Sequence, residues 1–581
     1  MSSLLDLLKN KIDITSVPFS FPGSRLTIYQ HSDSGMLYLK LAERLVHIFP
    51  GIESYTRRPP FLDDITFLNA DQQPIPFQVT AQPHVLDFST ALGTIQLAFL
   101  DESTLCFHFP QNCTIGLRFK VHAMEWHTNA TGGSIASHRP VQYGSNAHVL
   151  LNQLGDGEAY SELTVLLQTG QESAFILAFG EDTQQPMNFP TCDQARSNAR
   201  RIWDNWFQKV PEVKEIYQTT YAYAWWVLAN NMFNPQGNLQ YRVIAPSKKN
   251  YVGIWLWDNA LHAIALRHLD PELARDQIRA FLAYQQPDGM LPDAIFDDGI
   301  VTEIDHPVHA KVTKPPILAW AALKIHEMEA DTEFLREIYQ PLVRWNRWWF
   351  QENDDDGDGF VQYNHPFSSG LDDNPTWDNG VPVESPDINT YLYIQMRSLS
   401  FIARQIGKTD DSLLWQERAA SQLKTIMQCS WDEERTRFNA LHHKEPIHVF
   451  TPLNLYPLWT GALPEDVNRK LIAHLQNSSE FYGTLMLPSV ARNDPKFDPD
   501  CMWRGPVWAN INYFFVEALQ QVHELDLARD LRRKTLELIL QNEGIYEYYN
   551  AETGKPALNA APAFSWTAAV FIDLAIQESA A

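Results

Sequence analysis

The hydrophobic pattern changes period near residue 190. Before that point apolar residues come in short continuous or alternating runs. They are RLTIY, MLYLKL, RLVHIF, ITFL, TIQLAFL, TLCFHF, TIGLRFKV, HVLLN, LTVLLQT and AFILAFG. Turn-forming stretches separate them at Asp33–Gly35, Asn69–Gln73, Asp101–Ser103, Gly155–Gly157 and Gly170. Alternation puts every second side chain on one face of a sheet, so these runs predict an antiparallel β-sandwich over residues 1–190.

From residue 191 the apolar positions recur at helical spacing. SNARRIWDNWFQKV predicts a linker helix within 191–210, and about a dozen helical patterns fill 211–581. Among them are LWDNALHAIALRHL, PELARDQIRAFLAYQQ, KPPILAWAALKIHEME, INTYLYIQMRSLSFIARQIG, GPVWANINYFFVEALQQV and FSWTAAVFIDLAI. Some neighbours are joined by short turns, the others by long stretches rich in Gly, Pro, Asp and Trp. Helical hairpins closing into a ring explain that alternation, with short turns at one end and long functional loops at the other. The expected architecture is therefore a β-sandwich followed by an (α/α)6 toroid. A helical solenoid is the alternative, and no fixed sequence period supports it.

Charge narrows the partners. The chain has 581 residues, with Lys+Arg 45 against Asp+Glu 70 and a net charge of -25. That field repels a phosphate backbone and an anionic lipid surface, so neither nucleic acid nor membrane is an expected partner. No run approaches the roughly 20 apolar residues of a bilayer span. MSSLLDLLKNKIDI, interrupted by Asp6 and Lys9, lacks the pattern of a signal peptide. The five cysteines (Cys106, Cys113, Cys192, Cys429 and Cys501) are odd in number and scattered, which suits a reducing cytoplasm. The oligomeric state is left open.

Tryptophan is unevenly distributed. Of 18 residues only Trp126 lies in the first 200. Trp225, Trp226, Trp348 and Trp349 fall inside helical patterns and read as core. Trp255, Trp257, Trp377, Trp503 and Trp508 fall at loop–helix junctions beside Asp, Arg and Gly. Indole faces pack on the C–H faces of pyranose rings, while carboxylates and Arg meet sugar hydroxyls, so these junctions suit carbohydrate. Within them Asp258 sits in the first turn of a helix with His262 one turn on, Gln285 and Gln286 end another helix, and Asp372, Asp373 and Asp378 crowd one loop. Arg504 and Gly505 precede Pro506 at a helix mouth. Glu547 lies in an aromatic run, with Glu543 and Glu552 as neighbours. Capping, helix stopping and turn formation are the competing roles for these same residues. Hydrolysis of a glycosidic bond needs two carboxyl groups flanking it, and Asp372 and Glu547 come from loops that could face each other across a toroid mouth.

WLWDNALHAIALRHLDPELARDQIRAFLAYQQPDGMLPDAI, SSGLDDNPTWD, WRGPVWANINYF and YEYYNAETGKP, in that order, resemble the catalytic domain of glycoside hydrolase family 63. Its relatives include processing and bacterial α-glucosidases and mannosylglycerate or glucosylglycerate hydrolases, with trehalases more distant. The resemblance covers about residues 215–581. It implies an inverting α-glycosidase with Asp372 as general acid and Glu547 as general base, acting on a small carbohydrate. It places substrate binding on Trp257, Asp258, Gln286, Trp377, Arg504, Gly505 and Trp508. Thr376 departs from the larger residue that relatives often carry after the Pro, which affects the leaving-group subsite. The substrate expected is a small α-glucoside. The alternatives are a mannosylglycerate, glucosylglycerate or trehalose-type substrate, or a sugar-binding toroid without catalysis.

Two further expectations concern charge. Asp372 must hold its proton near neutral pH, and Asp373 or Asp378 could supply the negative charge that raises it. Asp354, Asp356 and Asp358, followed by Gly359, match the start of a calcium loop, although His365 stands where a bidentate Glu would complete it. Calcium is thus the structural cation considered, and hydrolysis itself requires no cofactor.

Overall fold

The computed structural model describes residues 4–44, 58–157, 160–180 and 187–580. The chain divides into two compact units. One comprises 1–210 with 225–234 and 248–252; the other comprises 211–224, 235–247 and 253–581.

Residues 26–179 of the first unit carry fourteen strands among the described residues. They are β1 (Leu26–Gln30), β2 (Leu37–Leu41), β3 (Leu62–Leu68), β4 (Gln78–Gln82), β5 (Val85–Thr90), β6 (Gly93–Asp101) and β7 (Thr104–His108). They continue with β8 (Thr114–Val121), β9 (Glu125–Asn129), β10 (Gly132–Ala136), β11 (Val141–Ser145), β12 (His148–Gly155), β13 (Ser161–Gln168) and β14 (Ala174–Phe179). One antiparallel sheet runs β1-β2-β3-β8-β13-β12 and the other β4-β5-β6-β7-β14-β11-β10-β9. Phe67 on β3 meets Phe88 of the facing sheet at 5.3 Å and Phe107 at 6.3 Å, so the two sheets share one aromatic core. The sandwich expected from alternation is present. The run at 44–49 lies outside the described residues beyond Arg44.

The sequence runs miss β4, β5, β9, β10 and β11. β9 is an exposed edge of the larger sheet, while β10 beside it carries two glycines and little apolar alternation. An edge strand has little core to face, so its apolar alternation is weak. The helix α1 (Cys192–Phe207) starts at a capping box between Thr191 and Gln194 and buries Ala195, Ala199, Trp203 and Phe207 along one stripe. The helix packs on β6.

The helices that follow are α2 (Gln218–Asn230), α3 (Leu256–Leu266), α4 (Pro271–Leu282), α5 (Leu318–Met328), α6 (Thr332–Glu352) and α7 (Pro386–Gln405). Then come α8 (Thr409–Ser430), α9 (Glu465–Leu475), α10 (Ala509–Gln521), α11 (Leu525–Leu540) and α12 (Ser565–Ala580). Six elements of the second unit close a ring. α3 packs on α5, α5 on α7, α7 on the 3₁₀ segment Pro452–Thr460, that segment on α10, α10 on α12, and α12 back on α3. Every residue of α3 is buried, as expected of a helix covered all round. The outer partners α4, α6, α8, α9 and α11 instead bury one face. Asp270 and Asp331 cap α4 and α6 by accepting from Leu273 N and Phe334 N, which turns the chain sharply between inner and outer helix. The toroid is the architecture expected. Its fourth inner member is 3₁₀ because Pro457 lies inside it and removes a donor that an α-helix would need.

The connections alternate as the sequence implies. Residues 267–270, 329–331, 406–408, 461–464 and 522–524 turn from inner to outer elements. The long connections 283–317, 353–385, 476–508 and 541–564 lead from outer elements into the next inner helix. The latter carry the chemistry, so it collects at the N-terminal ends of the inner helices.

Candidate active site

Lys314 is the hub of the candidate site. It lies just ahead of α5, where Pro315 and Pro316 fix the approach to the helix. Its ammonium is 3.1 Å from Asp293 Oδ1 and 3.8 Å from Asp372 Oδ1, and it donates to the Phe367 carbonyl at 2.5 Å. Asp293 lies beyond the Pro287–Asp288–Gly289 turn, immediately before the short strand Ala294–Phe296. Its carbonyl accepts from Leu256 N at 3.1 Å. That bond ties it to the start of α3, where Asp258 is buried. Asp258 interacts electrostatically with both Lys314 and Glu547. Asp258, Asp293, Asp372 and Glu547 therefore share one neighbourhood, drawn from four separate segments of the chain.

Local structure presents each acid. Gly370 ends the short 3₁₀ turn Pro366–Ser369 with φ +77, and a Cβ there would lie 2.4 Å from the Trp257 ring. Only glycine lets the chain turn left-handed against that indole and deliver Asp372 two residues later. Trp377 Nε1 then donates to the Leu371 carbonyl at 2.7 Å, bracing the loop from its far side. Glu547 sits on an extended segment: Tyr549 exchanges backbone bonds with Val507, and Glu547 N donates to Ala561 O at 2.9 Å. Its Oε2 accepts from Ala561 N at 3.2 Å.

The electrostatics separate these acids. Burial pushes the Asp372 carboxyl up, Lys314 pulls it down, and Asp293 and Asp373 push it up, leaving it at about 6. Its Oδ1 is buried with no hydrogen bond among the described residues, while the side chain as a whole is 33% exposed. A carboxyl that is protonated in weak acid and reachable from outside can give a proton to a ligand. Burial drives Asp258 well above the carboxylate range, with Lys314 opposing and Glu547 adding to it. Burial likewise raises Asp293, against the pull of Lys314. Burial lowers the Lys314 ammonium, but Asp293, Asp372 and Asp258 outweigh it and leave it above the ordinary lysine value.

Asp378 does not play the part considered for it. Arg504 binds it through two bonds of 2.9 Å and Lys496 approaches to 3.1 Å, so Asp378 is held below its ordinary value and its charge is spent on those cations. Asp373 contributes less than burial does, and Asp293 stands ahead of it. Arg504 also donates to the Asp373 carbonyl at 3.0 Å, and Asp373 Oδ1 accepts from Trp503 N at 2.9 Å. These contacts clamp the acid loop to the 498–508 loop. Gly505 is required by close approach, since a Cβ would meet the Asp498 carbonyl oxygen at 2.1 Å.

Four of the five junction tryptophans are buried, so their ring faces are not free for a sugar, while Trp255 is half-buried. Trp257 is 2% exposed, Trp377 7%, and Trp503 and Trp508 1%. Trp503 and Trp508 stack face to face at 3.4 Å, Trp508 stacks on Tyr548 at 4.5 Å, and Trp566 meets Trp257 and Trp508 edge-on. The faces of Trp503 and Trp508 are thus given to one another. Trp225, Trp226, Trp348 and Trp349 are core, as expected. Gln286 turns back on its own loop, its Nε2 donating to the Tyr284 carbonyl at 2.9 Å. His262 is fully buried, and burial pushes its imidazole down to about 3, so it is neutral.

Lys314 and Asp293 are the residues that sequence reading missed. Both lie in segments that draw attention for other reasons, LPDAI after a helix stop and TKPP before an apolar helix. A lysine set just before the apolar run PPILAWAAL was the available signal.

Asp354, Asp356 and Asp358 offer oxygens within 4.8 Å of one another, close enough for one ion. Lys444 is already there: its ammonium lies 2.5 Å from Asp356 and 2.8 Å from Asp358 and pairs with Glu384. Asp354 instead accepts from Gly359 N. The donor set thus carries its own cation, and a calcium ion would have to displace it.

Residues 251–567 match the family described as the mannosylglycerate hydrolase MGH1-like glycoside hydrolase domain. The chain belongs to this family. It is a glycoside hydrolase of the family 63 type. The mannosylglycerate hydrolase of Thermus thermophilus is 26% identical over 408 residues, which are 58% of this chain and 97% of that protein. The crystal structure of a family 63 mannosylglycerate hydrolase from Thermus thermophilus in complex with glucose aligns with a TM-score of 0.53 at 24% identity, over 61% of this chain and 99% of that one. A bacterial glucoamylase complexed with acarbose aligns with a TM-score of 0.59 at 10% identity, over 98% of both chains, and so shares the fold. No helix among the described residues is long and apolar enough to cross a membrane.

Proposed function

We propose that the protein is an inverting α-glycosidase that removes a glucosyl unit from a small, soluble α-glucoside. The observation that carries this reading is the environment of Asp372: a partly exposed carboxyl, raised to about 6, in one electrostatic neighbourhood with Glu547 from a loop far along the chain. Protonated Asp372 gives its proton to the glycosidic oxygen as the bond to the anomeric carbon breaks. Glu547 takes a proton from the water that attacks that carbon from the opposite face. Asp258, buried and raised, holds a sugar hydroxyl, and the Trp257–Trp503–Trp508 wall keeps water from the reacting centre. Binding roles for Trp257, Gln286, Trp377, Arg504, Gly505 and Trp508 rest on the family resemblance. The five cysteines, none of them disulfide-bonded, favour a cytoplasmic setting.

A mannosylglycerate or glucosylglycerate substrate is the second reading, favoured by the likeness to mannosylglycerate hydrolase. A hydrolysis panel of α-linked disaccharides and glycosyl-glycerates, followed by NMR of the released anomer, decides between them. A β-sugar released from an α-linked substrate supports the mechanism, and an α-sugar refutes it.

A further inference from the structure

We propose that Lys314, fixed by Asp293, is a positioning residue for Asp372 that stabilises the negative charge appearing on its carboxylate as the proton leaves. The inference rests on the reading of Asp372 as proton donor and goes beyond it to a residue with no part in the two-carboxylate scheme.

Lys314 is only 4% exposed. Its three neighbours divide two tasks. The 2.5 Å bond to the Phe367 carbonyl holds the turn from which the acid loop springs. The 3.1 Å pair with Asp293 keeps the ammonium from closing fully on Asp372, so it stands off at 3.8 Å. A lysine in direct contact would strip the acid of its proton before substrate arrived. A site without the lysine would leave a bare carboxylate in a buried setting after proton transfer, at high cost. An ammonium held at a distance by a second carboxylate avoids both. The charged and titratable groups facing the pair are Asp258 from the start of α3, Asp293 from the segment after the Gly289 turn, Asp373 on the acid loop itself, His365 just before the Pro366–Ser369 turn, lowered by burial to about 4, and Glu547 through Asp258.

The two partners act on Asp372 with opposite sign, which makes the inference testable. Carbon-13 NMR titration of the aspartate carboxyls, with Asp372→Asn used to assign the signal, is measured on the full chain of wild type, Lys314→Met and Asp293→Asn. Lys314→Met should raise the Asp372 midpoint by about one unit or more, and Asp293→Asn should lower it. On the best glycoside from the substrate panel, the alkaline limb of kcat/KM should move in the same two directions. The kcat of Lys314→Met at its own optimum should fall about tenfold to hundredfold with little change in KM, because only the charge developed in the transition state has lost its partner. Lys314→Arg should restore most of kcat. Should Lys314→Met fail to fold, Lys314→Gln carries the same expectation. Midpoints that do not move, or that move together in one direction, overturn the proposal. Opposed shifts in a protein that hydrolyses no glycoside would leave the Lys314 coupling standing and remove the glycosidase mechanism. Hydrolysis with unmoved midpoints would do the reverse.

Discussion

Two aspartates at different places on the ring, one fully buried and one partly exposed, have opposite fates. Asp573, in α12, is 0% exposed. It receives Arg267 at 2.8 Å, His268 at 2.7 Å, the Tyr513 hydroxyl at 2.7 Å and Gln577 at 2.7 Å. Burial alone would raise its pKa, yet Arg267 and His268 overwhelm that and hold it far below the carboxylate range. Asp372, in the loop before α7, meets one stand-off ammonium shared with Asp293, and burial prevails. Arg267 and Asp258 sit at the two ends of the same helix α3, so one element reaches the Asp573 cluster at its C-terminal end and the Lys314 cluster at its N-terminal end. Burial does not decide what an acid does; the number of donors aimed at it does. The Asp573 end contributes to stability, and the Asp372 end keeps a proton available.

The largest effects should come from removing the acids themselves. Asp372→Asn and Glu547→Gln are each expected to lower kcat by about a thousandfold or more, measured on the best substrate of the panel. Equal loss from a variant of Asp258 with retention in either of these would reassign the roles. At the other end, Asp573→Ala should leave Arg267 buried without its carboxylate and cost about 3–5 kcal/mol in urea unfolding.

The same contrast predicts opposite pH dependence of stability. The folded pKa of Asp573 is depressed, so its contribution is complete above the unfolded value of about 3.9 and is lost as pH falls below it. The folded pKa of Asp372 is raised to about 6, so its carboxylate costs stability once pH exceeds the unfolded value, with the full cost above 6. Asp372→Asn should therefore stabilise the protein by about 1–2 kcal/mol at pH 8, a figure reduced for the partial exposure of the side chain, and change little at pH 4. Calorimetry at the two pH values checks it; a uniform shift would show that the raised carboxyl is not the cause.

The smallest effect concerns the 354–358 loop, a third way of meeting carboxylate charge. Because Lys444 pairs with Asp356, Asp358 and Glu384, added calcium should leave the melting temperature of the wild type within about 1 °C. Lys444→Met should bring a calcium-dependent rise. A calcium response in the wild type would mean that the ion displaces the lysine.

Much of this arrangement can be read along the chain. The change from strand runs to helical spacing near residue 190 marks the two architectures, and alternating short and long connections imply the ring. Two features escape such reading for physical reasons. Pro457 destroys helical spacing, so the inner segment Pro452–Thr460 carries no helix signature although its packing position is that of one. The edge strand β9 is exposed along most of its length and so lacks alternation. The junction tryptophans look alike in sequence whether exposed or buried, because stacking of Trp503 on Trp508 depends on how two loops fold together.

Sequence alone determined the element types and placed Asp372 in a polar, Gly-containing loop and Glu547 in an aromatic run between helices, because periodicity and turn chemistry are local properties. Tertiary structure decided which charges meet. Lys314, Asp293, Asp258 and Asp372 lie at or before the starts of different elements, and only closure of the ring brings Lys314 to 3.1 Å from Asp293 and 3.8 Å from Asp372, with Asp258 in the same electrostatic neighbourhood. Coulomb energy follows distance in space, so no pattern along the chain could have ranked Asp293 above Asp378 as the neighbour that matters.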